Sequence, residues 1–343
     1  MYFEIIVILL LLCMIYILID NEPINEKKIL ISQNHLTIKD INVPKLSHKY
    51  HGNNNIIFYN LSVYKVKGGF RGVVRGTNCN GCSFYSPPPL FSYIYLIELS
   101  EEGAINKLEI VNYDYGKFTN CGPVHANGLE DPRIFMHKGD EWIMANVLGS
   151  KDQNDPCINT MFISKLSDPM NTFRLLKVPY SFDPYQKQKN WAPFSMNNKL
   201  LCEYSLFPHI VLEIDENTGD TTVFDTTGIS TIDIYDTESM RCSTPPILIN
   251  NEYYLSVGHQ RSSQPCEYYH FFYRFNKNPP FIITHISDKF KLEGLQRIQF
   301  ACGLSFSNGN IYLSYGVNDC YNRISSYSLS DVEKLLTHNI CPI

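Results

Sequence analysis

From Ile56 onward, short apolar runs alternate with turn residues, and no long stretch holds a 3.6-residue period until the chain's end. That pattern reads as strands rather than helices. The exception spans Ser330 to Thr337 and predicts a short helix capped by Ser330 or Asp331. One apolar run stands apart. Ile5 to Ile19 is unbroken for 15 residues, with Met1-Tyr2-Phe3-Glu4 before it. A spanning helix needs about 20 residues, and Tyr2 and Phe3 extend the run toward that length. It carries neither a basic n-region nor a small-residue cleavage site, so residues 1–20 read as an uncleaved signal anchor, with a cleaved signal peptide as the alternative. Lys27 and Lys28 follow the run, which leaves the orientation of the body open. Residues 21–55 are polar and irregular and read as a stalk, so the expected body is 56–343.

The body repeats a unit of short strand, tight turn and stronger strand. Pro132-Arg133-Ile134-Phe135 precedes a turn at Lys138-Gly139-Asp140 and the run Glu141 to Ala145. Ala192-Pro193-Phe194 precedes Asn197-Asn198 and Leu200 to Tyr204. Pro245-Pro246-Ile247-Leu248 precedes Asn250-Asn251 and Tyr253 to Val257, and Gly303-Leu304-Ser305-Phe306 precedes Asn308-Gly309 and Ile311 to Tyr315. The steps from Pro132 to Pro193, Pro246 and Gly303 are 61, 53 and 57 residues. A further unit fits between Asn60 and Leu99. A repeat of about 40–60 residues with four strands per unit is the mark of a propeller. The expected fold is therefore all-β, a five-bladed β-propeller behind an N-terminal hydrophobic anchor, with an irregular β-sandwich as the alternative.

Composition agrees with strands: 23 Tyr and 20 Phe, with 19 Gly and 19 Pro for turns. A net charge of -5 and the absence of a basic patch exclude a nucleic-acid partner. Ten of the 11 cysteines lie outside the apolar run, an even number that suits disulfides in an oxidising lumen. Cys79-Asn80-Gly81-Cys82 has no second CxxC to complete a zinc site, so no metal or cofactor is expected. Asn60-Leu61-Ser62 is a lone glycosylation sequon.

The chemistry centres on Gly128-Leu129-Glu130-Asp131-Pro132-Arg133. Pro132 cannot donate to a ladder and calls for an edge strand. Residues two apart share a face, so Asp131 and Arg133 should point together and Glu130 away. Lys189-Asn190-Trp191, His209, Arg241, His259, Tyr315 and Asp319 sit at comparable points of the other units, with Arg71 and Arg75 in the first. Their common register predicts one rim or channel. Taken singly, each is more often a satisfied structural group.

The Glu130-Asp131-Pro132-Arg133 stretch, with Lys189-Asn190-Trp191 and the later Pro/His-bearing units, resembles glycoside hydrolase family 130 and the related β-1,2-mannosyltransferase group. Ser314 to Cys320 also resembles propeller domains attached to bacterial glycosyltransferases. The resemblance covers roughly Asn60 to Arg323. It implies a five-bladed propeller acting on a glycan or sugar-phosphate substrate, with Asp131 as general acid. Arg133, Arg71, Lys189, Asn190, Trp191, His209, Arg241, His259, Tyr315 and Asp319 are then the expected substrate- or phosphate-binding set. Arg241-Cys242-Ser243-Thr244 matches the family's basic elements only in part. Hydrolysis needs a second carboxylate to activate water, whereas phosphate is already a nucleophile and needs a cationic cradle. One aspartate among cations favours phosphate, with Glu203 or Asp319 as the candidate base for hydrolysis. A propeller that binds glycan or protein without catalysis is the other class.

Overall fold

The structure is a computed structural model that describes residues 34–38, 56–78, 91–114, 127–149, 158–183, 188–227, 239–263, 266–293 and 298–340. The apolar run and the CxxC motif lie outside them. Among the described residues no helix is long and apolar enough to cross a membrane. Residues Gln33–Ile343 form one compact unit separate from Met1–Ser32.

The fold is all-β and built from five successive antiparallel units. The first holds β2 (Ile56–Val66), β3 (Gly69–Asn78), β4 (Phe91–Ser100) and β5 (Ile105–Ile110). The second holds β6 (Asn127–His137), β7 (Asp140–Gly149), β8 (Ile158–Lys165) and β9 (Arg174–Leu175). A short parallel contact between β4 and β6 joins these two units into one sheet. β10 (Ala192–Met196), β11 (Lys199–Leu206), β12 (His209–Ile214) and β13 (Thr221–Thr227) make the third unit. In the fourth, β14 (Met240–Cys242) and β15 (Ile247–Ile249) both pair with β16 (Tyr253–Ser263), followed by β17 (Cys266–Asn276) and β18 (Ile283–Ile286). The fifth holds β19 (Gln299–Ser307), β20 (Asn310–Val317) and β21 (Tyr321–Ser328).

Both ends of the body complete units begun elsewhere. β1 (Asn34–Ile38) lies inside the expected stalk, yet it pairs with β21 as the fourth strand of the fifth unit. β22 (His338–Asn339) pairs with β18. Strands of successive units also meet in order. β2 lies against β6, β6 against β10, β11 against β14, β16 against β19, and β19 against β2. The units belong to four hydrogen-bonded sheets rather than one closed sheet.

Turn chemistry explains the units. Lys138-Gly139, Asn197-Asn198, Asn250-Asn251 and Asn308-Gly309 all adopt positive φ, from 48° to 83°. Such left-handed pairs match the strand twist of tight hairpins, and Asn and Gly adopt them at least cost. The strands bury one apolar face against the neighbouring unit: Leu61, Val73, Ile94, Leu129 and Ala145 have no exposed surface. Among the described residues there are two small helices, α1 (Pro169–Thr172) and α2 (Leu329–Leu335). α2 starts earlier than its pattern suggested, because the Ser328 hydroxyl accepts from the Asp331 N–H and caps it. Cys320 is disulfide-bonded. Cys202, Cys242, Cys266 and Cys302 are free thiols, so the even cysteine count does not translate into full pairing.

Candidate active site

Three residues in corresponding places organise the site. Asn60, Asp131 and Asn190 each lie six positions before the last residue of β2, β6 and β10. All three have positive φ, at 57°, 50° and 64°. Asn and Asp are the non-glycine residues that tolerate this conformation best. Pairing slips between Tyr59 and Ser62 in β2, and between Glu130 and Arg133 in β6. A bulge of this kind re-aims side chains, and Pro132 falls within the second one, where no ladder bond is required of it.

The β6 bulge corrects the expected alternation. Glu130 and Asp131 do not diverge; both reach Arg75. Arg75 Nη2 donates to Glu130 Oε1 at 2.8 Å and Nη1 to Asp131 Oδ1 at 3.0 Å. Its Nε donates to the Ser92 hydroxyl at 3.0 Å, and its guanidinium stacks on the Tyr59 ring at 4.9 Å. Asn60 Nδ2 donates to Asp131 Oδ1 at 2.7 Å. Glu130 Oε2 accepts from Lys189 Nζ at 3.2 Å and Asn146 Nδ2 at 3.1 Å. Burial alone would raise the Asp131 carboxyl. Arg75, then Lys189, the Asn60 hydrogen bond and Arg133 outweigh burial and hold the group below its ordinary value. Asp131 is therefore held as a carboxylate.

Arg133 turns the other way and is wholly buried. It donates to the Ser243 carbonyl, to the Asp131 carbonyl at 3.1 Å and to Asn190 Oδ1 at 3.2 Å, and stacks on Phe300 at 5.6 Å. It thus braces the bulge rather than pairing with the Asp131 side chain. The Ser243 hydroxyl lies 2.7 Å from His259 Nδ1. Burial, with His270, Arg133 and Arg241 nearby, lowers His259 well below its ordinary value and keeps it neutral. Arg241 is the cross-strand partner of His259 and is exposed.

Asp319 reaches the cluster from the turn between β20 and β21, at φ 49°. The residue is exposed to solvent, yet the protein packed around it raises its carboxyl through desolvation; Arg75 pulls the other way, and Asp131 and Glu130 add to the rise. Two carboxyls near one arginine are thereby pushed apart, the arrangement that separates proton-holding from ionised groups.

The structure thus brings together Asp131, Arg133, Lys189, Asn190, Arg241, His259 and Asp319. Four other candidates are engaged elsewhere. Arg71 pairs with Glu98 and Glu141. Trp191 is buried, donates to Gln188 and packs edge-on against Tyr204. Tyr315 is buried, with its hydroxyl shared between Glu293 and Ser325. His209 is buried between Glu203 Oε1 at 2.8 Å and the Phe281 carbonyl at 2.6 Å, and Tyr273 fills the other Glu203 oxygen. Glu203 has no exposed surface and is no free base.

Three residues of the centre gave little sequence signal. Arg75 stood out no more than Arg71, and Glu130 was expected to point away. Asn60 read as a glycosylation sequon, but it is 4% exposed and bonded to Asp131, which leaves no access for a glycan.

No family model matches the sequence, and no curated protein sequence matches it. Solved structures do match the fold. A β-1,2-mannobiose phosphorylase from Listeria innocua, in complex with β-1,2-mannobiose, superposes with a TM-score of 0.59 at 13% identity, covering 84% of this chain and 94% of that one. A member of glycoside hydrolase family 130, from work on hydrolases that target β-1,2-mannosidic linkages in Candida mannan, gives a TM-score of 0.57 at 13% identity, covering 81% and 86%. A glycosyl hydrolase from Bacteroides ovatus gives 0.56 at 14% identity, covering 81% and 85%. The fold of this chain is glycoside hydrolase family 130-like.

Proposed function

We propose that this protein is a carbohydrate-active enzyme that makes or phosphorolyses β-mannoside-type glycosidic bonds, with Asp131 as the proton-carrying group. In this reading the five units are the blades of a five-bladed propeller, and the residues from Asn60 to Asp319 line its centre. The cyclic contact from unit to unit, ending with β19 against β2, supports that arrangement. The observation that carries the chemistry is the bulged Asp131, held by Arg75 and Asn60 with Lys189 beside it, in a fold shared with mannoside phosphorylases.

Phosphorolysis forms a bond from a phosphate oxygen to the anomeric carbon and breaks the bond to the departing sugar oxygen. That oxygen takes a proton from Asp131, and the carboxylate recovers one from solvent or phosphate. An ionised Asp131 cannot donate. A phosphate anion drawn to Arg75 and Lys189 would offset the two cations that hold the carboxyl down, so phosphate binding and protonation of Asp131 reinforce each other. Of the two candidate bases for hydrolysis, Glu203 is buried and bonded to His209 and Tyr273, which weighs toward phosphate over water and leaves Asp319 as the base a hydrolase would need. Residues 5–19 would attach the enzyme to a membrane.

The test is incubation of the full-length protein, in mild detergent, with β-1,2-mannobiose and inorganic phosphate. Release of mannose 1-phosphate is the expected product, and the reverse reaction should extend a mannose acceptor. Free mannose released at equal rate without phosphate would assign hydrolysis instead. No turnover in either direction would favour a binding propeller.

A further inference from the structure

Asp319 differs from the other acids of the site in how it is held. Glu130 and Asp131 are each gripped by Arg75 and by an asparagine. Among the described residues, no hydrogen bond or ion pair reaches the Asp319 carboxylate, although it acts electrostatically on Arg75 and Tyr59. Its position is therefore set by its backbone. Asn318 and Asp319 are consecutive left-handed residues, at φ 52° and 49°. Such a pair keeps its aim only while its surroundings fix it. Three anchors do so. The Asn318 N–H donates to the Ile298 carbonyl at 2.8 Å, the Cys320 N–H donates to the Val317 carbonyl at 3.0 Å, and Cys320 is disulfide-bonded. The covalent anchor adjoins the acid directly.

We propose that the Cys320 disulfide is a positioning element of the active site: it holds the 318–320 turn so that Asp319 faces Arg75 and the bound sugar, which makes turnover depend on redox state. Cys320 stands apart from the four free thiols, three of which, Cys202, Cys242 and Cys302, are buried in the core. Cys320 lies in the turn between β20 and β21, directly after Asp319.

The activity arm of the test rests on the proposed function; the structural arm does not. The folded full-length protein is treated with a phosphine reductant without denaturant, and opening at Cys320 is verified by peptide mass after alkylation. Amide hydrogen exchange across residues 315–322 is expected to rise severalfold while exchange in β6 and β7 stays unchanged. With β-1,2-mannobiose and phosphate, a loosened Asp319 should raise KM and lower kcat/KM by about tenfold to a hundredfold, the range a small misplacement costs. Cys320→Ser should reproduce both effects. In an Asp319→Asn background, reduction should cost no further activity, because the group being positioned is already absent. The proposal is overturned if reduction leaves exchange at 315–322 unchanged, or if reduced and oxidised Asp319→Asn differ in kcat/KM as much as the reduced and oxidised wild type. If the oxidised protein turns over no mannoside at all, the proposed function fails, and the exchange measurement still decides whether the disulfide holds the turn. Should Cys320→Ser fail to fold, the chemically reduced wild type carries the comparison.

Discussion

Replacing Arg75 with methionine removes one guanidinium that serves two acids. Its partners Glu130 and Asp131 lie at 2.8 and 3.0 Å, and the three side chains are only 10%, 10% and 15% exposed. Breaking a buried pair by deleting one partner costs about 3–5 kcal/mol, because the remaining charge stays buried without compensation. For a body of this size, about 1 kcal/mol moves the melting temperature by roughly 1.5–2 °C, so Arg75→Met should melt about 5–10 °C below the wild type at pH 7. The pH dependence carries the sharper test. In the wild type the Asp131 carboxyl lies below its unfolded value. Its contribution is present above the unfolded value, about 3.9, and is lost as pH falls through the folded value. Without Arg75, Lys189, Asn60 and Arg133 remain against burial, so the carboxyl moves up toward its unfolded value and less of this pH-dependent stabilisation is left to lose. The gap in melting temperature should therefore hold steady from pH 7 to about pH 5 and shrink below about pH 4, read by calorimetry or far-ultraviolet circular dichroism. A gap below about 2 °C at pH 7, or one that widens on acidification, would refute the reasoning.

Other outcomes follow from the same contacts. Arg133→Lys should cost about 2–5 kcal/mol in urea unfolding, since an ammonium cannot serve the Ser243 carbonyl, the Asp131 carbonyl and Asn190 together. Arg71→Gln should leave kcat/KM within about twofold of wild type, because Arg71 serves Glu98 and Glu141 in a partly exposed pair worth about 1 kcal/mol or less. A chain starting at Lys45 loses β1 and exposes the β21 edge, so it should aggregate or melt lower than a chain starting at Gln33; equal melting temperatures would show that β1 adds nothing.

Much of the fold was legible because its signals are local. Asn197-Asn198, Asn250-Asn251 and Asn308-Gly309 mark their hairpins through backbone conformations that few other residues accept. The Glu130-Asp131-Pro132-Arg133 stretch stood out for the same reason: acids beside a proline are rarely mid-strand. What escaped the sequence depends on distant partners. β1 reads as stalk because its five residues gain their role only from β21, nearly the whole chain away. A two-residue alternation cannot foresee the bulge that turns Glu130 and Asp131 onto Arg75, since a single slip reverses every facing beyond it. His209, Trp191 and Tyr315 share the register of site residues but are buried among their own partners. Register along a strand says where a residue sits in its unit, not whether its side chain ends in the core or in the centre.

The most direct measurement is the turnover of purified Asp131→Asn beside wild type, with β-1,2-mannobiose and phosphate as substrates. Asparagine can still accept from Arg75 and Asn60, so the melting temperature should fall by a few degrees at most and mannobiose should still bind. It cannot hand a proton to the departing oxygen, so kcat should fall by about 10²–10⁴-fold. Turnover of Asp131→Asn within a few-fold of wild type, in a folded protein that binds the disaccharide, would contradict the assignment of Asp131 as the proton-carrying group.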